Sequence, residues 1–452
     1  MQSLAGRTVR ATAIHAPVRG EIDFLDDSLF VIDEESRIEF VLRPSDRDYE
    51  TALYVAEDQD LLVTLPREMI LLPGFVDLHV HAPQYAQLGQ ALDVPLEVWL
   101  GQYTFPLEAR YADLDFARPR YEALVTDLLA NGTTTAVYFA TIHQAATRLL
   151  ADTCLARGQR ALVGKVAMDD PAGCPDYYRD ASAEAAIADT AALIDYIRAH
   201  PDNAAGRVLP VITPRFIPSC TDEALHGLGA LATVTGAHVQ THCSESDWAH
   251  QFGLDRFGET DTASLNRFGL LGRKTVLAHS NFITHADMDT IAAAGAGVAH
   301  CALSNAYFAG AVFPLRAALE RHVHVGLGTD ISGGPAASMF DAQRQAVVSS
   351  RLLETGVDAE RAPADRGRPN SRIDMLTAFH LATAGGGEVL DLPIGRFEPG
   401  YAFDAIAIDT AATDGGLRLF EPLPPADLLE KLIHTATRAN IAAVWVDGRL
   451  VA

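Results

Sequence analysis

The sequence is short of cysteine and of basic residues, and each shortage excludes a class of protein. Its five cysteines are odd in number, widely spaced and without a C-x-x-C pair, which excludes a disulfide-stapled scaffold and argues against a zinc finger. Lysine and arginine number 35 against 59 aspartate and glutamate, a net charge of −24. A field of that sign repels phosphate backbones and anionic membrane surfaces, so we expect no nucleic-acid and no membrane partner.

Long apolar runs are also missing. The first residues form no apolar signal region, and later apolar stretches are interrupted by histidine or charge before they reach membrane-spanning length. Hydrophobic residues nevertheless make up 48% of the 452 and charged residues 21%, which is enough to fill a large core. We therefore expect a soluble, cytoplasmic protein.

Two kinds of pattern divide the chain. From residue 7 to about residue 69, short β-like runs alternate with acidic turns, and the segment after residue 391 returns to strands with a hairpin turn at Asp447-Gly448. Between them, eight strand candidates alternate with amphipathic helical stretches over about 250 residues, the usual size of a (β/α)8 barrel. The strand candidates are 75–80, 133–139, 161–167, 208–213, 237–242, 275–278, 297–300 and 323–328.

The fold prediction is an α/β protein, a (β/α)8 TIM barrel with a small composite β-sandwich domain built from both chain ends. The predicted boundaries are 1–72 for the first part of the sandwich, 73–391 for the barrel and 392–452 for the second part. Each end alone is too short to bury much apolar surface, which favours one composite domain.

Residue types that bind metals stand at the ends of the predicted barrel strands. His79 and His81 end the first strand and share a face, because side chains alternate with period two, while His242, His279 and Asp330 end the fifth, sixth and eighth. Barrel enzymes place their catalytic groups at the C-terminal ends of strands. Three imidazoles and a carboxylate suit Zn²⁺, or alternatively Fe²⁺, with one position left for water.

A bound cation would supply a hydroxide nucleophile, and neighbouring residues could move its protons. Asp330 can accept the proton of the water, and His279 can hydrogen-bond the water or a developing alkoxide. Glu245 follows His242 by three residues and can carry a proton to a leaving group, although a glutamate after a strand often serves only the next helix. We expect His300 and Cys301, at the seventh strand end, to be packing residues.

The segment 73–85, Pro-Gly-Phe-Val-Asp-Leu-His-Val-His-Ala-Pro-Gln-Tyr, resembles the amidohydrolase superfamily and, within it, the guanine deaminase family. Further matching segments are 99–100, 103–108, 131–135, 213–216, 241–245, 278–279 and 328–330. Two-metal members of the superfamily use a lysine at the fourth strand, where this chain has Thr213-Pro214-Arg215-Phe216. One metal is therefore expected.

The resemblance implies hydrolysis of guanine to xanthine and ammonia, by a homodimer that holds one zinc per subunit. The implied zinc ligands are His79, His81, His242 and Asp330. The implied substrate contacts are Gln84, Arg215 and Phe216, with Glu245 protonating N3 of the purine and His279 steadying the water. Glu245, His279 and Asp330 would form the catalytic group.

One segment departs from the family pattern and leaves alternatives open. After the seventh strand the family usually has Cys-Pro-x-Ser-Asn, whereas this chain has Cys301-Ala302-Leu303-Ser304-Asn305. The change lies near the substrate and not among the ligands. A related aminated ring, such as 8-oxoguanine, a pterin or a triazine, is therefore an alternative substrate, and a non-catalytic scaffold is a third possibility that the intact ligand set disfavours.

Overall fold

The computed structural model describes residues 3–452, which form two β-sheets and the helices that cover the larger one. The strands are β1 Thr8–His15, β2 Asp23–Ile32, β3 Ile38–Leu42, β4 Leu62–Thr64, β5 Met69–Pro73, β6 Phe75–His81, β7 Thr133–Phe139, β8 Arg160–Gly164, β9 Val166–Ala167, β10 Val208–Pro214, β11 His238–Cys243, β12 Thr275–His279, β13 Gly297–His300, β14 His324–Leu327, β15 Ala405–Asp409, β16 Ile441–Val446 and β17 Arg449–Leu450.

The helices lie mainly between the strands of the larger sheet. They are α1 Tyr49–Asp58, α2 Leu96–Trp99, α3 Phe105–Ala109, α4 Leu114–Ala130, α5 Gln144–Arg157, α6 Ala183–Ala199, α7 Asp222–Thr235, α8 Asp247–Phe257, α9 Asp261–Arg267, α10 His285–Ala294, α11 Ala302–Ser304, α12 Leu315–Glu320, α13 Met339–Thr355, α14 Pro363–Arg366, α15 Met375–Ala382, α16 Ala384–Leu390 and α17 Pro425–Thr435. Within residues 3–452, no helix combines the length and the apolar character needed to cross a membrane.

Eight parallel strands form the barrel, in the order β6-β7-β8-β10-β11-β12-β13-β14, with β9 paired to β10. The ends of this sheet meet where the amide of Asp330 donates to the carbonyl of His79 and the amide of His81 donates to the carbonyl of Ile331, both at 2.8 Å. The predicted (β/α)8 barrel is confirmed. The closing seam also holds Asp330 beside the two histidines of β6.

The third barrel strand differs from its prediction. A continuous strand over 161–167 was expected, but β8 ends at Gly164 and β9 begins at Val166. Lys165 lies between them with a fully buried side chain, and its Nζ donates to Oδ1 of Asp180 at 2.6 Å. The ion pair supplies the partner that the buried ammonium of Lys165 requires.

The second sheet has eight strands from both ends of the chain, in the order β17-β16-β15-β5-β1-β2-β3, with β4 paired to β1. Strand β15 pairs antiparallel to β5, which joins the two chain ends in one sheet. Phe30 of β2 packs edge-on against Phe397 and Phe403, with ring centroids 5.2 and 6.2 Å apart. The predicted composite β-domain is confirmed.

Candidate metal centre and active site

Five side chains meet above the C-terminal ends of the barrel strands. His79 and His81 extend from the end of β6, His242 lies near the end of β11 and His279 ends β12. The Nε2 atoms of His81 and His242 are 3.0 Å apart, and Nε2 of His79 is 3.2 Å from Oδ1 of Asp330. The structure therefore brings together all five residues singled out at the strand ends.

The unpartnered atoms of this cluster test whether a cation fits. Nε2 of His79 and Nε2 of His279 are buried and have no hydrogen-bond partner among the described residues. The donor atoms of His79, His81 and Asp330 lie within 4.8 Å of one another, as do those of His79, His242 and His279. Imidazole nitrogens that converge in this way need a shared proton or a cation, and nitrogen with carboxylate oxygen is a donor set that zinc accepts. The residues fit a divalent cation.

Burial sets the charge of these groups. It lowers the pKa of His79, His81 and His242 well below the usual value, and the neighbouring imidazoles lower it further. The neutral ring that results is the form that binds metals. Burial raises the pKa of Asp330, and it raises the pKa of Glu245 to about 8, with the charge of Asp330 acting in the same direction. Burial therefore favours the protonated form of Glu245.

The loop after β13 holds two members of the cluster. Nδ1 of His279 is 2.9 Å from Oδ1 of Asn305, and the hydroxyl of Ser304 donates to Oδ2 of Asp330. These contacts fix the direction of the ring and of the carboxylate. Because they come from Ser304 and Asn305, the departure from the family pattern at Ala302 and Leu303 leaves them in place.

Three residues of the site have a left-handed backbone although none is a glycine. The φ angles are 45° at Ser244, 68° at His279 and 51° at Asp330. This conformation costs roughly 1–3 kcal/mol per residue and is concentrated at functional sites, where the surrounding fold imposes it. Here it turns the chain sharply at the ends of three strands, which keeps the following side chains close to the barrel mouth.

A narrow slot lies beside the histidines. Its empty volume, open mouth included, is about 380 Å³. Four of the five predicted substrate residues line it, namely Gln84, Arg215, Phe216 and Glu245, whereas His279 does not. Apolar residues that the sequence did not assign also line it: Leu96, Trp99, Leu100 and Phe308. The four predicted contacts thus border one space next to the metal cluster.

Glu108 is a buried residue of the site that the sequence analysis did not single out. Its side chain is fully buried in α3. Nη1 and Nη2 of Arg215 donate to its two carboxylate oxygens at 2.6 and 3.2 Å, and Nε2 of Gln84 donates to Oε1 at 2.8 Å. The guanidinium fork expected to face the substrate therefore faces Glu108; Nη1 also contacts Sδ of Met168 at 4.0 Å, and Arg215 still lines the slot. The available signal was the position of Glu108 in the matching segment 103–108.

Two polar residues near the site remain packing residues, as expected. The buried ring of His300 lies 5.3 Å from that of Phe313, centroid to centroid. Cys301 is fully buried, and burial raises the pKa of its thiol well above the usual value. A thiol in that state is not a nucleophile at neutral pH.

Comparisons with known proteins cover nearly the whole chain. Residues 70–451 match the model of the amidohydrolase family. Guanine deaminase of Homo sapiens is 33% identical over 98% of this chain and 96% of its own length, and that of Dictyostelium discoideum is 32% identical over 98% and 97%. The crystal structure of guanine deaminase from C. acetobutylicum, with guanine bound in its active site, has a TM-score of 0.86 at 29% identity, covering 98% of this chain and 99% of that one.

Proposed function

The chain belongs to the amidohydrolase family, and on that basis we propose that it removes the 2-amino group of guanine by hydrolysis, releasing ammonia and leaving xanthine. One observation carries the proposal. The cluster of imidazoles and carboxylate borders a slot whose lining combines polar groups with aromatic rings, as a flat, polar-edged ring requires. The full-length similarity to guanine deaminases supports guanine as that ring.

A single divalent cation would be held by three imidazoles and one carboxylate. We propose His79, His81, His242 and Asp330 as its ligands and zinc as the ion, with ferrous iron as the alternative. When bound, such a cation lowers the pKa of a water molecule from about 16 towards about 7.

Three residues would move protons around the attacked carbon. Asp330 accepts the proton that the water loses, and His279 holds the water against C2 of the purine. Glu245, whose protonated form burial favours by raising its pKa, delivers a proton to N3 as the C–O bond forms. Asp330 passes the proton it took from the water to the amino group, the C–N bond breaks and ammonia leaves. The hydroxyl proton at C2 returns to the carboxylate of Glu245 as the carbonyl of xanthine forms. Guanine and water are thereby converted to xanthine and ammonia.

Gln84, Arg215 and Phe216 would position the purine. The N–H groups of Gln84 and Arg215 suit an acceptor such as a ring carbonyl, and the ring of Phe216 offers a face for stacking. The amino group of adenine would place its own N–H donors against those of Gln84 and Arg215 at that edge. We therefore expect adenine to be a poor ligand.

A substrate panel tests the proposal. Purified protein is incubated with guanine, 8-oxoguanine, an aminated pterin and an aminotriazine, and the ammonia released from each is measured. The proposal predicts that guanine has the highest kcat/KM and that xanthine accumulates in step with ammonia. Rapid turnover of another ring without turnover of guanine would instead favour the second candidate, a deaminase of a related heterocycle, which the changed loop at Ala302 and Leu303 motivates.

Three finer points belong to the same proposal. Zinc rather than iron is tested by metal analysis of the purified protein, and a metal-free protein without activity would support a scaffold role. A cytoplasmic location is proposed because all five cysteines are buried and unpaired, which is typical of a reducing compartment. A homodimer is proposed from the resemblance to the family and is tested by sedimentation equilibrium.

A further inference from the structure

Glu108 has no part in the proton transfers proposed above, yet it is the most buried acid at the slot. Its carboxylate is fully buried, and it accepts three hydrogen bonds from the two residues proposed to contact the purine edge, two from Arg215 and one from Gln84. We call Gln84 and Arg215 the donor wall. One carboxylate therefore connects both members of the donor wall.

The direction of the Gln84 amide is fixed from two sides. An ionised carboxylate only accepts hydrogen bonds, so the atom of Gln84 that faces Glu108 must be Nε2. The backbone N–H of Ser332 only donates, and it is 3.3 Å from the other atom, Oε1. The two constraints agree, so the orientation follows from chemistry and not from a choice between two similar atoms.

The guanidinium of Arg215 is held in the same way. Two of its five N–H groups donate to Glu108, and its central carbon, Cζ of Arg215, lies 5.0 Å from the ring centroid of Phe105. Burial lowers the pKa of Arg215, but the charge of Glu108 and its hydrogen bonds outweigh burial and raise that pKa. The guanidinium thus stays charged inside the protein and can present only donors to the slot.

We propose that Glu108 is a positioning residue that keeps both members of the donor wall in their donating orientation, and so selects a carbonyl over an amino group at C6 of the purine. The inference rests on the proposed function, because it takes the donor wall to be the surface that meets C6. Glu108 itself does not touch the substrate. It acts by occupying the side of Gln84 and of Arg215 that faces away from the ligand.

Substitution of glutamine for Glu108 tests this directly. A glutamine of the same shape can donate as well as accept, so of the two constraints on the Gln84 amide only the longer one remains, the N–H of Ser332 at 3.3 Å. Guanine and 2,6-diaminopurine both carry the 2-amino group and differ at C6. We expect the wild-type protein to prefer guanine by about 10³ or more in kcat/KM, and Glu108→Gln to reduce that preference to about tenfold, mainly by raising KM for guanine.

A matched control separates this effect from loss of charge. Glu97 lies on α2, is exposed and does not line the slot. Glu97→Gln removes the same charge from the same region, and we expect kcat, KM and the preference for guanine to stay at wild-type values. A selectivity change of equal size in both variants would contradict the positioning role.

Equilibrium binding distinguishes failure of this inference from failure of the proposed function. Hypoxanthine and adenine lack the 2-amino group and differ at C6, so their dissociation constants report the C6 preference without turnover. If the wild-type protein prefers hypoxanthine but does not release ammonia from guanine, the proposed function is wrong, while recognition of C6 by the donor wall is still supported. If wild-type protein and Glu108→Gln prefer hypoxanthine equally, the inference fails.

A second variant decides the matter if Glu108→Gln does not fold. Gln84→Met has a similar volume, keeps the pair of Arg215 and Glu108, and removes the amide that Glu108 orients. We expect the hypoxanthine preference to fall about tenfold or more with a wild-type melting temperature. An unchanged preference in this variant would overturn the proposal, since the amide would then have no part in reading C6.

Discussion

At the scale of single residues, Glu245 lies where the reaction needs a proton donor, and burial favours its protonated form by raising its pKa. Its Oε1 is 3.6 Å from Nε2 of His279, and both side chains are buried. We predict that Glu245→Gln retains the bound metal but lowers kcat for guanine by about 10² or more, the usual contribution of a general acid or base.

Two measurements check this prediction. Ammonia release gives kcat, and mass spectrometry of metals gives the content of the variant beside that of wild type. Glu97→Gln is the control, because it replaces an exposed glutamate outside the slot with the same isosteric amide. Its kcat and its metal content should match those of wild type. Wild-type turnover by Glu245→Gln would remove this residue from the mechanism.

The sequence predicted the metal-ligand candidates but not Glu108, and the reason is physical. His79 and His81 share a face because the side chains of a strand alternate with period two, and parallel strands bring their C-terminal ends to one rim of the barrel. The position of each residue in the strand pattern is therefore enough to select the metal-ligand candidates. Glu108 meets Arg215 across 107 residues and Gln84 across 24. No local period encodes such contacts, since they depend on how α3 packs over the barrel mouth.

At the scale of elements, an aromatic contact narrows the slot. Trp99 at the end of α2 and Phe308, after α11, have ring centroids 5.0 Å apart, and both line the slot. Trp99 directly precedes one wide helical turn, Leu100–Thr104, and Phe308 lies within another, Asn305–Ala309; turns of this kind are frequent at functional sites. The contact therefore joins two such elements at the border of the slot.

We predict that Phe308→Ala raises KM for guanine about tenfold while kcat stays within about threefold of wild type, because removing the ring forfeits roughly 1–3 kcal/mol of apolar contact but touches no proton-transfer group. Steady-state kinetics gives both constants. Trp fluorescence on titration with hypoxanthine should change in wild type and less in the variant. An unchanged KM would show that this contact plays no part in ligand entry.

Strand positions were predictable and the break in the third strand was not. Seven of the eight barrel strands follow from runs of apolar residues bounded by turns, which the sequence carries locally. At the break lies Lys165, whose partner Asp180 is fifteen residues away in a segment without regular structure. A single buried lysine gives no sign of its partner in the sequence.

At the scale of the whole molecule, one buried ion cluster ties the barrel to the second sheet. Arg160, at the start of β8, donates to Asp404 at 3.1 and 3.3 Å and also pairs with Asp447 in the turn between β16 and β17. Arg207 donates to the same Asp447 at 2.9 Å. The partners lie more than 230 residues apart in sequence, so this cluster links distant parts of the chain.

We predict that Arg160→Leu lowers the free energy of unfolding by about 3–5 kcal/mol, because it leaves two buried carboxylates without their shared cation. Urea unfolding followed by circular dichroism measures the change. Arg157→Leu, on an exposed position of α5, is the control and should shift stability by less than about 0.5 kcal/mol. Equal stability of the two variants would show that the cluster does not hold the two sheets together.

The overall architecture was predictable because it rests on segment lengths and alternation, whereas the exact division of the chain stays a prediction. The boundaries 1–72, 73–391 and 392–452 stay predictions; β5 of the second sheet ends at Pro73, and β6 of the barrel begins at Phe75. Contacts such as the one between Arg160 and Asp404 cross these boundaries. A limited-proteolysis map would test where the chain divides.

Stepwise removal and return of the metal tests the central claim most directly. The protein is stripped with a chelator, and guanine turnover is followed while zinc is added back in fractions of an equivalent. The account predicts that turnover falls at least about 10³-fold in the stripped protein and rises linearly to a plateau at one zinc per chain, with no recovery in His242→Ala. Full turnover in protein that holds less than about a tenth of an equivalent of any divalent metal would contradict it.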